Sequence, residues 1–414
     1  MFKIIFPKAL GFIEAKQQLF LNFIKFIVLL SFLIFMYHYT FLPSGGDENV
    51  FIADLGLINT KGWIFAIEHK ISLVFMILVY PLTLFFKDYV AFRIFNFLLF
   101  LGLCFYFKKN ECNRNQMFYY YFIFYSTTGW YLLGTNDVLF IVSLVIFFNE
   151  TYKILSRQKN YNISLLLCGL LISFFTRQLI YVYLPVIFVS LGLIFKAKID
   201  FKKSLKIPSL LLVLLIVINI PSILKNHNFS YDNKIPPKDV KSNWVQRQYL
   251  AQLMVNKGEL KSEQHPTWTQ TDEYLLKNGP KSLPDNAISS LTQDYKLTII
   301  EFFKDFGIVI FQSLRQSSIM VLTVCCIFFY YLSRRKTDYN LYLPFICLSM
   351  IAIFSFIIIS NVETRWLIPV FIMALVCYSD LEFQKKLSPK IIFINYLFMI
   401  MMVFYGTFRV LQKF

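Results

Sequence analysis

Apolar positions along this chain come in long runs with few polar interruptions. Nine stand out, at 26–42, 90–107, 117–133, 179–195, 207–224, 319–332, 341–360, 366–378 and 391–408. Two shorter ones, 138–148 and 163–175, are flanked by polar residues. A bilayer core about 30 Å thick takes roughly 20 apolar residues in a helix. Lipid offers the backbone no hydrogen-bond partner, and a helix satisfies its own amides. The pattern predicts an all-α integral membrane protein with about eleven transmembrane helices. The segment 71–86 is treated apart. It is interrupted by Pro81 and flanked by Glu68-His69-Lys70 and Lys87-Asp88, so it reads as an interfacial or re-entrant helix.

Charge then orders the connections. Basic residues crowd 108–114, 152–159 and 196–206, Arg334-Arg335-Lys336, and the stretch holding Lys385, Lys386 and Lys390. Cytoplasmic loops collect Lys and Arg, so these five are expected inside. The outer connections are then 43–89, 134–137, 176–177, the long 225–317 and 361–365. This divides the chain into a membrane module (1–224) with its first outer loop at 43–89, a long outer loop (225–317) and C-terminal membrane helices (318–414). The basic stretch 1–25 reads as a cytoplasmic lead into the first span. The long loop holds Pro236-Pro237, Trp244, Trp268, Tyr274 and Gly279-Pro280, and a short helix is expected at 243–256. Across 296–315, Leu297, Ile300, Phe303, Phe306 and Ile310 recur at helical spacing with charges between, predicting an amphipathic helix on the membrane surface.

Composition agrees with the pattern. The chain of 414 residues is 57% hydrophobic and 16% charged, with 48 Phe and 25 Tyr; soluble domains carry about 25% charge. The net charge of +17 is explained by the basic connections, so no nucleic-acid partner is expected. Cys104, Cys168, Cys325, Cys347 and Cys377 fall inside apolar runs, Cys326 adjoins Cys325, and Cys112 lies in a loop. No CxxC or Cys/His ligand spacing occurs, and no metal site is expected. There is no phosphate-cradling glycine loop and no Ser/His/Asp pattern.

Candidate chemistry gathers on the expected outer face. Ser44-Gly45-Gly46-Asp47-Glu48 follows the first span. Adjacent acids there can do acid–base work; the simpler local reading is Asp47 capping a helix over 48–58. Asp137, after Gly134-Thr135-Asn136, opens a span, where a cap is again the simpler reading. Arg177, followed by Gln178, lies between two apolar runs, and an ionisable group there is a functional hypothesis in its own right. Arg365 begins another span with Glu363 as a ready partner. Arg93 is a third arginine for this face. Guanidinium groups grip phosphate in a bidentate fork, which suits a phosphate-bearing lipid.

The order of these features resembles the GT-C superfamily of membrane glycosyltransferases. Asp47-Glu48 matches the acidic motif of the first outer loop. Tyr80-Pro81-Leu82 with Ala91-Phe92-Arg93-Ile94-Phe95-Asn96 resembles the superfamily's "P-L … R-L-x-N" passage, and Asn136-Asp137 its second acidic position. Glu363-Thr364-Arg365-Trp366-Leu367-Ile368-Pro369 resembles its late "E-x-R-Y-x-x-P", with Trp366 in place of Tyr. Phe175-Thr176-Arg177-Gln178 is similar to the "F-R-Q-T-N" of the dolichyl-phosphate-glucose-dependent alpha-1,2-glucosyltransferases, although Thr176 and Leu179 depart from it. Protein O-mannosyltransferases and aminoarabinose transferases share the architecture. The resemblance implies a polyprenyl-phosphate sugar donor, a lipid-linked, glycan or protein acceptor, and inversion at the anomeric carbon. It implies Asp47 as general base, Glu48 or Asp137 in support, Arg177, Arg365 and Arg93 toward the lipid phosphate, and Glu363 and Gln178 as supporting residues. Some members use a divalent metal at the acids; none is expected here, nor any other cofactor. A polysaccharide-lipid flippase and an O-antigen-type polymerase or ligase are the alternatives. A bacterial inner membrane fits the Phe-, Ile-, Lys- and Asn-rich composition, with the endoplasmic reticulum as the alternative.

Overall fold

The computed structural model describes residues 2–109, 117–128, 133–199, 204–231, 239–262, 264–334, 339–357 and 362–412. Several expectations lie outside those residues: the connector 108–114 beyond Lys109, with Cys112; residues 200–203 of the third connector; Pro236-Pro237; Arg335-Lys336; and Asn361. The described residues are helical, with no strand among them. The chain divides into two compact units, one formed by residues 1–232, 313–347 and 368–414, the other by 233–312 and 348–367.

In the first unit, α1 (Phe2–Phe41) is one continuous helix of 40 residues, and the basic N-terminal stretch belongs to it. Three short helices fill the connection 43–89: α2 (Glu48–Lys61), α3 (Trp63–Glu68) and α4 (Leu73–Thr83). Then come α5 (Asp88–Lys109), α6 (Phe118–Thr128), α7 (Asp137–Leu155), α8 (Ile163–Thr176), α9 (Ile180–Lys196) and α10 (Lys206–Asn226). The 71–86 segment is thus an eleven-residue helix with Pro81 in its last turn. Its buried residues Leu73, Phe75, Met76 and Val79 join Phe51, Leu55, Phe92 and Phe175 in one apolar cluster. That cluster seats the first-loop helices on the ends of α5 and α8.

The second unit opens with α11 (Trp244–Asn256), α12 (Trp268–Asn278) and α13 (Ala287–Gln293). Each starts with a reciprocal capping box, from Asn243 and Gln246, Thr267 and Gln270, and Asn286 and Ser289. These boxes satisfy amides that a short helix otherwise leaves open. Asp272 accepts hydrogen bonds from the amides of Lys241 (3.0 Å) and Ser242 (2.8 Å), tying α12 to the segment before α11. α14 (Tyr295–Ser317) is the expected amphipathic helix. Its polarity is inverted relative to a soluble helix: Glu301 and Asp305 are buried while Ile300 (51%) and Phe303 (67%) stay exposed. A helix with its apolar face outward needs an apolar solvent.

The remaining helices are α15 (Met320–Ser333), α16 (Tyr342–Phe356), α17 (Ile368–Phe383) and α18 (Pro389–Leu411). Seven described helical segments are long and apolar enough to cross a bilayer: 22–40 within α1, α5, α7, α10, Tyr339–Phe356, Thr364–Phe383 and α18. An eighth is counted if α14 and α15, bent by 118° at their junction, form one span. The protein is therefore a helical membrane protein. The difference from the expected eleven has a simple source. α8 has 14 residues, α9 has 17 and α15 has 14, and the described part of α6 has 11. At about 1.5 Å per residue, fourteen residues reach only about 21 Å, short of a core of about 30 Å.

α7 and α17 are the inner helices, 83% and 78% buried against 22% for α10 and α18. α8 lies directly on α7 because residue 169 is glycine. A Cβ there would sit 2.6 Å from the carbonyl oxygen of Ser143. Small residues at helix interfaces in membranes let backbones approach in this way.

At the end bearing the basic connections, buried Glu150 and half-buried Glu382 are each held by several partners. Glu150 accepts from Tyr106 Oη (2.5 Å), the Asn162 amide (2.6 Å) and Lys153 Nζ (2.6 Å), binding α5 and α7 to the start of α8. Glu382 accepts from Tyr121 and Tyr396, each at 2.6 Å, binding α17 to α6 and α18. A buried carboxylate is tolerable only when its lone pairs are filled.

Candidate active site

The opposite end of the first unit gathers most of the residues singled out by sequence. The chain leaves α1 at Phe41 and turns through Gly45-Gly46. Gly46 has φ +58°, a left-handed conformation that costs glycine little. The turn closes with bonds from the Glu48 amide to Gly45 O (3.3 Å) and from the Asn49 amide to Gly46 O (3.3 Å). Asp47 and Glu48 are thereby set at the start of α2.

The two acids then part ways. Glu48 is 3% exposed and Arg93, in the second turn of α5, is 7% exposed. They meet as a bidentate pair, Nε to Oε1 at 2.8 Å and Nη2 to Oε2 at 2.6 Å. Nη1 of the same guanidinium donates to the carbonyls of Tyr39 (2.5 Å) and Leu42 (2.6 Å), orphan acceptors at the end of α1. Four of the five N–H donors are thus used. Glu48 Oε1 also accepts from the Gly134 amide at 2.7 Å. One ion pair therefore ties α1, α2, α5 and the segment before α7. Position 134 has to be glycine for this to close: a Cβ there would lie 2.7 Å from Phe92 Cβ and 3.0 Å from Glu48 Oε1.

The segment leading into α7 is held from several sides. Asn96 Nδ2 donates to the carbonyls of Leu133 and of Thr135, the latter at 3.0 Å. Asn136 Nδ2 donates to Ser72 Oγ (2.8 Å) and to Thr176 O (3.3 Å). Ser72 in turn donates its amide to Asp54 Oδ2 at 3.2 Å. Asp137 accepts from Thr135 Oγ1 (3.0 Å) and forms an ion pair with Arg177, which sits in extended backbone just past the end of α8. Residues from 43–89, 134–137 and 176–177 thus converge on Asn136-Asp137 at the start of α7.

Asp47 is half-buried and occupies the N-cap position of α2, which runs to Lys61 rather than Ile58. The capping readings need correction. Asp47 is in right-handed helical backbone and its side chain makes no capping bond. At α7 the cap position belongs to Asn136, again without a capping bond, and Asp137 is the first helical residue. Asn136 instead spends its amide on Ser72 and Thr176. Gln178 is exposed. Arg365 belongs to the second unit, where it pairs with Glu363. Among the described residues no three His, Cys, Asp or Glu side chains come together as a metal site. The described cysteines are free thiols.

Ser72, Asp54 and the close approach at Gly134 carry no signal in the residue pattern, and the motifs holding Asn96 and Asn136 do not reveal their partners. No protein-family model, curated protein or solved structure matches the chain.

Proposed function

We propose that this chain is a membrane glycosyltransferase of the GT-C kind. It moves a sugar from a polyprenyl-phosphate donor to a lipid, glycan or protein acceptor on the outer face of the cell membrane. The supporting observation is the division of labour between adjacent acids. Glu48 is buried against Arg93 and the Gly134 amide, whereas Asp47, next to it at the start of α2, is only half-buried and open to an approaching acceptor. Glu48 and Arg93 are positioning residues in this reading, and Asp47 is the base.

The chemistry needs little from the protein beyond placement. Asp47 takes the proton of the acceptor hydroxyl as its oxygen attacks the anomeric carbon. The bond from that carbon to the phosphate oxygen breaks on the opposite face, inverting the centre. The polyprenyl phosphate leaves with the electron pair. Arg177, at the same end, neutralises it by exchanging Asp137 for phosphate in a bidentate contact. Arg365 keeps its phosphate role on the resemblance alone. In this reading α6, α8, α9 and α15 complete the crossings to about eleven, and α2 to α4 lie along the outer surface.

The test in cells is Asp47→Asn with the envelope glycan as readout. A positioned general base contributes about 10²–10⁴ in rate, so the product is expected to vanish while the protein accumulates normally in the membrane. Unchanged glycan in cells carrying the folded variant removes Asp47 from the reaction. If the product depends instead on a diphosphate-linked oligosaccharide donor, the polymerase or ligase reading replaces this one.

A further inference from the structure

A second feature lies at the end carrying the basic connections, within the first unit, and does not depend on the proposed reaction. A groove of about 360 Å³ runs between α15 and the start of α18, within the roughly 300–1,000 Å³ of binding pockets. Leu322, Cys326 and Tyr330 of α15 form one wall, and Leu387 and Ile391 the other. Its polar end is made by Lys386 and by Ser388, the N-cap of α18.

The charged residue lining that end among the described residues is a lysine, with more basic residues around it. Lys386 lines the groove, and Lys385 and Lys390 flank it in sequence; all three are exposed. Arg334 ends α15 with its guanidinium stacked 5.5 Å from the ring of Tyr330, a residue of the groove wall. The start of α18 adds the positive end of a helix dipole. The acids on the neighbouring turn of α17 are turned inward: Glu382 accepts from Tyr121 and Tyr396, and Asp380 is hydrogen-bonded to Tyr152. An apolar trough ending in a cationic rim between membrane helices complements one kind of molecule, an anionic phospholipid.

We propose that this groove is a binding site for an anionic membrane phospholipid, its acyl chain between α15 and α18 and its phosphate on Lys386 and the α18 N-terminus. The test uses the purified full chain in detergent. It is titrated with dioleoyl phosphatidylglycerol, dioleoyl phosphatidylcholine or a polyprenyl phosphate, and the thermal midpoint is read at each concentration. Phosphatidylglycerol is expected to raise the midpoint at lower concentration than phosphatidylcholine with the same chains. Lys386→Gln is expected to weaken the phosphatidylglycerol response about fivefold, the loss of one lysine at an anionic surface, leaving phosphatidylcholine unaffected. Cys326→Trp, a change on an exposed face that fills the trough, is expected to weaken the phosphatidylglycerol response as well. Lys386→Glu, also exposed, abolishes the anionic preference if Lys386→Gln proves unstable. An equal response to both phospholipids, a preference that survives the Lys386 variants, or a response to polyprenyl phosphate alone overturns the proposal.

Discussion

Replacing Glu48 with Gln preserves its volume and removes its charge from a place with almost no water. Three hydrogen bonds end on this carboxylate, two from Arg93 and one from the Gly134 amide. The amide oxygen of Gln can keep the two that end on Oε1, from Arg93 Nε and the Gly134 amide, but its NH₂ then faces Arg93 Nη2, which can only donate. Arg93 is left 7% exposed without a counter-charge. Breaking a buried pair from one side costs about 3–5 kcal/mol; the retained bonds to Tyr39 and Leu42 place the expected loss near the lower figure. At about 2–4 °C per kcal/mol for a large domain, the thermal midpoint in detergent falls by about 6 °C or more. The cycle with Arg93→Met isolates the pair: the double variant is expected to be less destabilised than the sum of the single changes by about 2 kcal/mol. A Glu48→Gln midpoint within a degree of the parent, or strict additivity in the cycle, would refute the claim that this pair fastens the first outer loop.

Other expectations follow from the same contacts. Gly134→Ala drives a methyl group against Phe92 Cβ and Glu48 Oε1, and should cost about 1–3 kcal/mol, lowering the thermal midpoint in the same assay. Gly169→Ala should separate α8 from α7, because the added carbon meets backbone at Ser143 rather than a movable side chain; the check is a lower midpoint without change at the 133–137 end. In the long loop, burial alone raises the Asp272 pKa, but bonds from the Lys241 and Ser242 amides and hydroxyl outweigh it and hold the carboxyl below its ordinary range. Its contribution is therefore present above the ordinary carboxylate pKa and lost as pH falls through the lowered one. Asp272→Asn should make the loop more susceptible to proteolysis at neutral pH, by about 0.5 kcal/mol after solvent screening, and should make no difference in strong acid. Equal susceptibility at neutral pH counts against the anchor.

Much of the architecture is legible in residue pattern because lipid imposes it. Runs of apolar residues had to be helices, and α5, α10 and α18 follow them closely, while α1 and α7 run well beyond theirs. Asn243 followed three residues later by Gln246 announces the start of α11, a local bond that needs no tertiary context. The span count was less legible, since an apolar run does not say whether its helix is 14 or 22 residues long, and breaks such as the bend between α14 and α15 leave little mark. The ends of the spans with their acids and arginines were visible, but their pairing was not. Glu48 and Arg93 are 45 residues apart, and which acid meets which arginine is decided by how α2 and α5 pack. Glu363 beside Arg365 could be paired by adjacency alone, and is so paired. Gly134 carried no signal beyond being glycine; its necessity appears only once Phe92 and Glu48 close around it.

The central claim is that Asp47 accepts a proton during sugar transfer from a polyprenyl phosphate. Its most direct measurement is single-turnover transfer by the purified chain in liposomes, with radiolabelled polyprenyl-phosphate sugar and envelope lipid extract as acceptor. Asp47→Asn is compared with the parent at matched thermal midpoint. Transfer by the parent and a fall of about 10²–10⁴ in rate for the variant, with the midpoint unchanged, are expected. Transfer at the parental rate by a folded Asp47→Asn protein contradicts the claim.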